Sequence, residues 1–340
     1  MDKALLSKTA AAMVAKGKGV LAADESSGTC EKRFTSVGVQ STEETRRTYR
    51  NLLFSTSGIE QYLSGVILFD ETARQKAPDG SLIPQYLAKK GILPGIKVDK
   101  GVTNIPFTAE EKLTEGLDGL QRRMKEYFDL GCRFAKWRAV ITIGPAIPTH
   151  TCLYANAHAL ARYAAICQEA SIVPMIEPEV LLDGNHSAER SEEVHEATLR
   201  ATYAAMAAYN VSLEHLILKT SMVVSGKDNP RQAGVDEVAE RTVRVLKRTV
   251  PAAQPGIVFL SGGQADEAAT AHLNAMAAMK GLPWPLTFSY SRALQNPALK
   301  TWRGQAGNVA AAQKAFHHRA HMNGLAAQGK WQPELEKQAA

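Results

Sequence analysis

Lys219 follows a short apolar run, Leu216-Ile217-Leu218, and its position gives the amine chemistry to do. A continuous apolar run of this length suits a strand buried on both faces of a parallel sheet. At the end of such a strand the sheet meets the solvent-facing loops. Desolvation there disfavours the ammonium and leaves neutral amine to attack a carbonyl. A lysine that simply extends its stem along apolar surface into water has the same local signature. Its neighbours decide between the two. Other apolar runs end in Asp24-Glu25-Ser26, in Lys97-Val98-Asp99-Lys100 and in Glu177-Pro178-Glu179. Lys136 and Arg138 alternate along another run, and two more end in Ser261-Gly262-Gly263 and Tyr290-Ser291-Arg292.

Taken singly, each group has a structural use. Asp24 and Ser26 can cap the next helix. Lys136 with Arg138, and Glu177 with Glu179, share a strand face by the period of two and can be salt-bridge partners. Ser261-Gly262-Gly263 can be a tight turn, and Arg292 a helix-start residue. Taken together they are harder to dismiss, because buried charge is costly unless matched, and nearly every run ends in it. Lysines beside carboxylates at one mouth make a tuned active site. A lysine nucleophile implies a Schiff base with a carbonyl substrate, and the cations Lys136 and Arg138 would favour its neutral amine. Glu177, Glu179 and Asp24 can move the protons that imine formation and C–C cleavage require. Ser261, Gly262 and Gly263 offer backbone N–H groups ahead of a helix, and Arg292 adds a fork of donors, together a phosphate cradle. The inferred substrate is a phosphorylated ketose.

Positioning these residues requires a parallel sheet. Eight apolar runs recur with helical material between them: 19–23, 64–69, 95–98, 133–140, 171–176, 216–218, 256–260 and 285–289. The intervening helices are expected over 108–131, 151–169, 188–209, 235–249 and 266–280. The first of these carries a capping box, Thr108 with Glu111, and closes on Gly131. Short strands alternating with helices predict a (β/α)8 barrel of one domain over residues 1–340, with helical additions at both ends and an excursion around 70–95. A doubly wound sheet is the alternative, but no GxGxxG turn follows a first strand.

Composition sets the outer limits. Of 340 residues, 45% are hydrophobic and 22% charged, values for a globular chain with a large core. A net charge of +6 is spread without a basic arm, and aromatics are only 6%, which speaks against a nucleic-acid groove. Cys30, Cys132, Cys152 and Cys167 show no CxxC spacing and read as free thiols of the cytoplasm. No run has the length of a membrane span, and no signal peptide is expected. His317, His318 and His321 lack a carboxylate at ligand spacing and read as a polar helix face, so neither a metal nor a cofactor is expected.

These stretches resemble the class I, Schiff-base-forming fructose-bisphosphate aldolases. The resemblance is carried in order by residues 21–26, 95–101, 134–138, 156–164, 173–179, 216–219, 259–264 and 288–295. It implies cleavage of fructose 1,6-bisphosphate to dihydroxyacetone phosphate and glyceraldehyde 3-phosphate, the step of glycolysis and gluconeogenesis. Lys219 would form the imine, Glu177 would be the main acid and base, and Glu179 would support it. Asp24 would assist at the cleaved bond, while Lys136 and Arg138 orient substrate. Ser261, Gly262, Ser291 and Arg292 would bind the 1-phosphate, and Lys100, Ser26 and Arg33 would line the 6-phosphate region. The resemblance also implies a homotetramer. Two departures stand out. Ser291 occupies a position where the family has glycine, with φ expected negative and the hydroxyl an extra phosphate donor. The stretch Glu336 to Ala340 lacks the terminal tyrosine of animal and plant members, which suggests a bacterial-type member. A catalytically idle barrel kept as a scaffold is disfavoured by the presence of both Lys219 and Glu177.

Overall fold

The computed structural model describes residues 1–108 and 110–339. The first third runs α1 (Lys3–Met13), β1 (Gly19–Ala23), α2 (Ser27–Thr35), α3 (Glu43–Phe54), β2 (Leu63–Leu68), α4 (Asp70–Arg74) and α5 (Ile83–Lys89). It continues with β3 (Leu93–Lys97), β4 (Val102–Asn104), β5 (Lys112–Thr114), α6 (Leu120–Asp129), β6 (Phe134–Ile141), α7 (His150–Glu169) and β7 (Val173–Val180). The last third is α8 (Ala188–Ala208), β8 (Ile217–Thr220), α9 (Val235–Thr249), β9 (Ile257–Phe259), α10 (Asp266–Ala277), β10 (Leu286–Tyr290), α11 (Arg292–Trp302) and α12 (Val309–Ala326). A short 3-10 segment, Pro333–Ala339, follows.

Eight parallel strands close a barrel in the order β1-β10-β9-β8-β7-β6-β3-β2. The period of two along each strand divides its side chains between two cores. Val20, Ala22, Phe134, Val173, Met175, Ile217 and Val258 meet inside the barrel, and Leu6, Ala10 and Met13 of α1 join them and seal its N-terminal end. The alternate residues, such as Leu21, Ala135, Trp137, Leu218 and Phe259, pack outward against the helices. The lumen has little room to spare. A Cβ built on Gly95 would lie 2.2 Å from Phe134 Cζ, so the Phe134 ring takes the space that Gly95 leaves.

The expected (β/α)8 barrel with helical additions is therefore the fold. Its expected helix over 108–131 is shorter than predicted. Residues 102–104 and 112–114 pair as an antiparallel hairpin, and the helix begins only at Leu120. Gly116 at φ +123° and Gly119 at φ +66° adopt left-handed backbone that a helix interior excludes. Glu111 does not cap that helix. It accepts from the backbone N and the hydroxyl of Thr149, at 2.6 and 2.7 Å, and so braces the N-cap of α7. Residue 109 of that stretch, and Ala340 of the tail, lie outside the described residues.

Candidate active site

The strands carry their charged residues to one mouth of the barrel. β7 is longer than the sequence suggests, so Glu177 and Glu179 lie within it, opposite Arg138 and Val140 of β6. Lys219 is the third residue of β8, and Lys97 ends β3 opposite Lys136. Asp24 follows β1, and Ser289 lies on β10. With Ala22, Glu25, Ser26, Thr29, Arg33, Leu260, Ser261, Gly262, Ser291 and Arg292 they line a cleft of about 210 Å³.

Lys219 is 3% exposed, and its Nζ lies 2.9 Å from Glu177 Oε1. The other Glu177 oxygen is 3.2 Å from Lys136 Nζ, which lies 2.7 Å from Asp24 Oδ2. One chain of charge thus runs Lys219–Glu177–Lys136–Asp24. Burial pushes the Asp24 carboxyl up, but Lys136 and Lys219 outweigh it and bring it down to about 2. Glu177 is likewise held below the usual carboxylate range, its burial overcome by Lys136 and Lys219. Burial pulls Lys136 down, and Asp24 and Glu177 more than reverse it, so Lys136 stays protonated at neutral pH. Arg138 Nε donates to Glu179 Oε2 at 2.5 Å. Both cations expected to act on Lys219 are therefore matched by carboxylates of their own.

Arg292 is different: among the described residues its guanidinium has no carboxylate within ion-pair distance. It packs on Gly263, where a Cβ would come within 3.0 Å of Nη2. Gly262 and Gly263 adopt φ of +59° and +97°, a loop conformation that suits glycine and opens its backbone toward the cleft. Burial, then the neighbouring Arg33, push the Arg292 guanidinium below its ordinary value. Arg292 is exposed at the mouth, where an unpaired guanidinium can take up an anion.

Lys100 is not in the cleft. It lines a separate cavity of about 680 Å³ with Leu113, Tyr154 and Arg162. Its backbone N donates to Glu115 O, and Gly101 follows at φ +96°. Lys97 lines the cleft instead, 2.6 Å from Asp99. Period-two counting from Gly95 is the signal that identifies it. Glu25 went unassigned in the sequence. It accepts from Arg33 Nη1 at 2.5 Å and from Gln295 Nε2 at 2.8 Å, across 270 residues in the second case, and local patterns carry no trace of that. The expected negative φ at Ser291 is observed, at −106°. Its hydroxyl is not a spare phosphate donor, because it donates to Glu25 and accepts from Arg33 and Gln295. A larger groove of about 890 Å³ lies outside the barrel between the N-terminus, α6 and α7, but no such set of matched charges converges there.

A (β/α)8 barrel with a buried lysine–carboxylate pair in its mouth has what imine chemistry requires. A family model described as fructose-bisphosphate aldolase class-I matches residues 5–340. A probable class 1 fructose-bisphosphate aldolase of Xanthomonas campestris is 59% identical over 327 residues, covering 96% of this chain and 98% of that one. Fructose-bisphosphate aldolase 1 of Toxoplasma gondii is 52% identical, covering 96% and 90%. The fructose-bisphosphate aldolase of Plasmodium falciparum, solved with TRAP and a small-molecule inhibitor, superposes with a TM-score of 0.95 at 47% identity, covering 97% and 95%. This chain belongs to the class-I fructose-bisphosphate aldolase family. It is a lyase that reversibly cleaves fructose 1,6-bisphosphate to two triose phosphates through a lysine Schiff base.

Proposed function

We propose that Lys219 is the Schiff-base lysine and that the charge chain around it supplies the proton transfers. The 2.9 Å contact between Lys219 Nζ and Glu177 Oε1 carries this reading. Passing a proton to Glu177 frees the amine to attack the ketone carbon of the substrate. Glu177 then returns the proton to the carbinolamine hydroxyl, which leaves as water. The iminium so formed draws in the electron pair of the C3–C4 bond. Asp24 takes the proton of the C4 hydroxyl as that bond breaks, and the aldehyde departs. Protonating the enamine carbon and adding water release dihydroxyacetone phosphate and restore the amine. Lys136, between Asp24 and Glu177, keeps both carboxylates ionised and ready to accept protons, and Arg138 with Glu179 orients the substrate.

Arg292, the loop holding Ser261 and Gly262, and the backbone of Ser291 bind the phosphate on the ketone side. Ser26, Arg33 and Lys97 line the path of the far phosphate. The chain acts as one domain over residues 1–340. It works in the cytoplasm as a homo-oligomer, a tetramer by the resemblance, on phosphorylated ketose and triose substrates, without nucleic acid. Four free, buried cysteines suit a reducing compartment, and among the described residues no helix is long and apolar enough to cross a membrane.

Borohydride reduction in the presence of dihydroxyacetone phosphate, followed by peptide mapping, tests the assignment. The adduct is expected on Lys219; an adduct on Lys97 or Lys136 would overturn it. Light scattering on the purified chain tests the assembly.

A further inference from the structure

Arg319 on α12 is only 4% exposed, and it contributes nothing to the cleft directly. Its guanidinium nevertheless spans the two helices that begin at the phosphate-binding loops. Nη2 donates to Thr270 Oγ1 at 2.5 Å and to the carbonyl of Asp266 at 3.3 Å, both at the start of α10. Nε donates to the carbonyl of Ala293 at 3.4 Å, the residue after Arg292 at the start of α11. α10 follows the Ser261–Gly263 turn, so one side chain ties the loop on one side of the anion site to the arginine on the other. Asn296 Nδ2 adds a second tie, to Asp266 Oδ1 at 3.2 Å.

The remaining Arg319 nitrogen, Nη1, donates to Glu336 Oε1 at 2.6 Å. Glu336 is the one carboxylate within ion-pair distance of Arg319 among the described residues, and it lies in the 3-10 segment Pro333–Ala339. The same carboxylate accepts from Trp331 Nε1 at 2.9 Å and contacts His318 Nε2 at 2.8 Å. A guanidinium this buried stays where its carboxylate holds it, because an unmatched charge is costly away from water. Were Glu336 neutral, the other acids lining the shared cavity would be Asp266 and Glu267, both at the head of α10. Arg319 would be drawn toward that pair, and the start of α10 would move with it.

We propose that Arg319 is a positioning residue for the phosphate cradle, latched by Glu336, so that docking of the 333–339 segment sets affinity for the substrate phosphate. The proposal rests on the reading of Arg292 and the 261–263 loop as the phosphate site. Lys219, Glu177, Lys136 and Asp24 come from β8, β7, β6 and the end of β1, and the ion pairs that join them involve no residue of α10, α11 or α12. The latch therefore acts on binding and leaves the chemical step alone.

Glu336→Gln keeps the shape and removes the charge. It is expected to raise both KM for fructose 1,6-bisphosphate and Ki for inorganic phosphate about three- to tenfold, with kcat within about twofold. Trp331→Phe, which removes one donor to the same carboxylate, should shift both constants in the same direction by less. Arg292→Ala serves as the control and should raise both constants strongly. If Glu336→Gln lowers thermal stability but leaves KM and Ki unchanged while Arg292→Ala raises them, the latch is wrong and Glu336 only holds the fold. If Arg292→Ala leaves both constants unchanged, the phosphate reading and the latch fall together.

Discussion

The Ser291 hydroxyl donates to Glu25 Oε1 at 2.5 Å, joining the head of α11 to the end of β1 across 266 residues. It also accepts from Arg33 at 2.9 Å, which makes Ser291 the middle of a three-residue relay. Ser291→Gly removes the relay but leaves the Arg33–Glu25 contact of 2.5 Å intact. The bonds lost are to a carboxylate and a guanidinium, each worth about 1.5–3 kcal/mol, so KM should rise clearly with kcat near wild type. A large gain in kcat/KM on this change would mean that serine obstructs the cradle.

Glu177→Gln keeps the volume of the side chain but can no longer accept the Lys219 proton. Loss of a general acid and base typically costs about 10²–10⁴ in rate. The variant should lose that much in kcat and trap dihydroxyacetone phosphate under borohydride correspondingly slowly. Lys219→Ala should trap none and show no cleavage. Wild-type trapping rates in Glu177→Gln would move the proton transfers to another group.

Arg292→Ala removes the unmatched cation of the cleft. One charge-assisted contact is worth about 1.5–3 kcal/mol. Cleavage of fructose 1,6-bisphosphate should weaken by roughly ten- to a hundredfold. Steady-state kinetics that match the wild type would put the phosphate elsewhere.

Much of this site was legible because strands impose a period of two. Lys136 with Arg138 and Glu177 with Glu179 share a strand face by their spacing alone, and both pairs line the cleft. The same counting, applied from Gly95, selects Lys97, whereas Lys100 falls out of the period and lines a separate cavity. The helix expected from Thr108 failed for another reason. Leu113 and Leu117 have helical spacing, yet Gly116 lies between them at φ +123°, and Leu113 packs with Ile105 and Ile141 beneath the hairpin. The ties of Glu25 to Ser291 and Gln295, and of Arg319 to Asp266 and Ala293, join residues far apart in sequence. No local pattern reports such contacts.

Stability should respond to acid in two separate windows. Burial holds the His195 imidazole down to about 4, and burial does the same for His272, against an ordinary 6.5. The unfolded chain therefore binds protons that the folded one refuses. The stability from these histidines is complete above about pH 6.5 and is lost as pH falls toward 4, at roughly 2–3 kcal/mol each. Asp24, at about 2 against an ordinary 3.8, adds stability that is complete above pH 3.8 and is lost as pH falls through 2. Urea midpoints should fall between pH 7 and 4.5 and fall again below 4, the second decline shrinking in Asp24→Asn. A flat profile from pH 7 to 4.5 would contradict the buried neutral histidines.

Gly95→Ala should cost about 1–3 kcal/mol by overpacking, since its Cβ would lie 2.2 Å from Phe134 Cζ. Phe134→Leu in the same chain should recover part of the loss. Additive losses in urea denaturation of the two single variants and the double would show that the two positions do not compete for space.

The seal at the base of the barrel bears on how the chain is made. Thr287 Oγ1 donates to the carbonyl of Lys18 at 2.6 Å, and β1 pairs with β10, so the first strand has its second neighbour only from the last. A ribosome releases these partners at opposite ends of synthesis. Until β10 emerges, one edge of β1 stays unpaired and the apolar face of α1 lacks part of the lumen it fills. The nascent chain must shield both until then. Chaperone capture should therefore concentrate on the first strand and helix, and should end when the eighth barrel strand closes the ring.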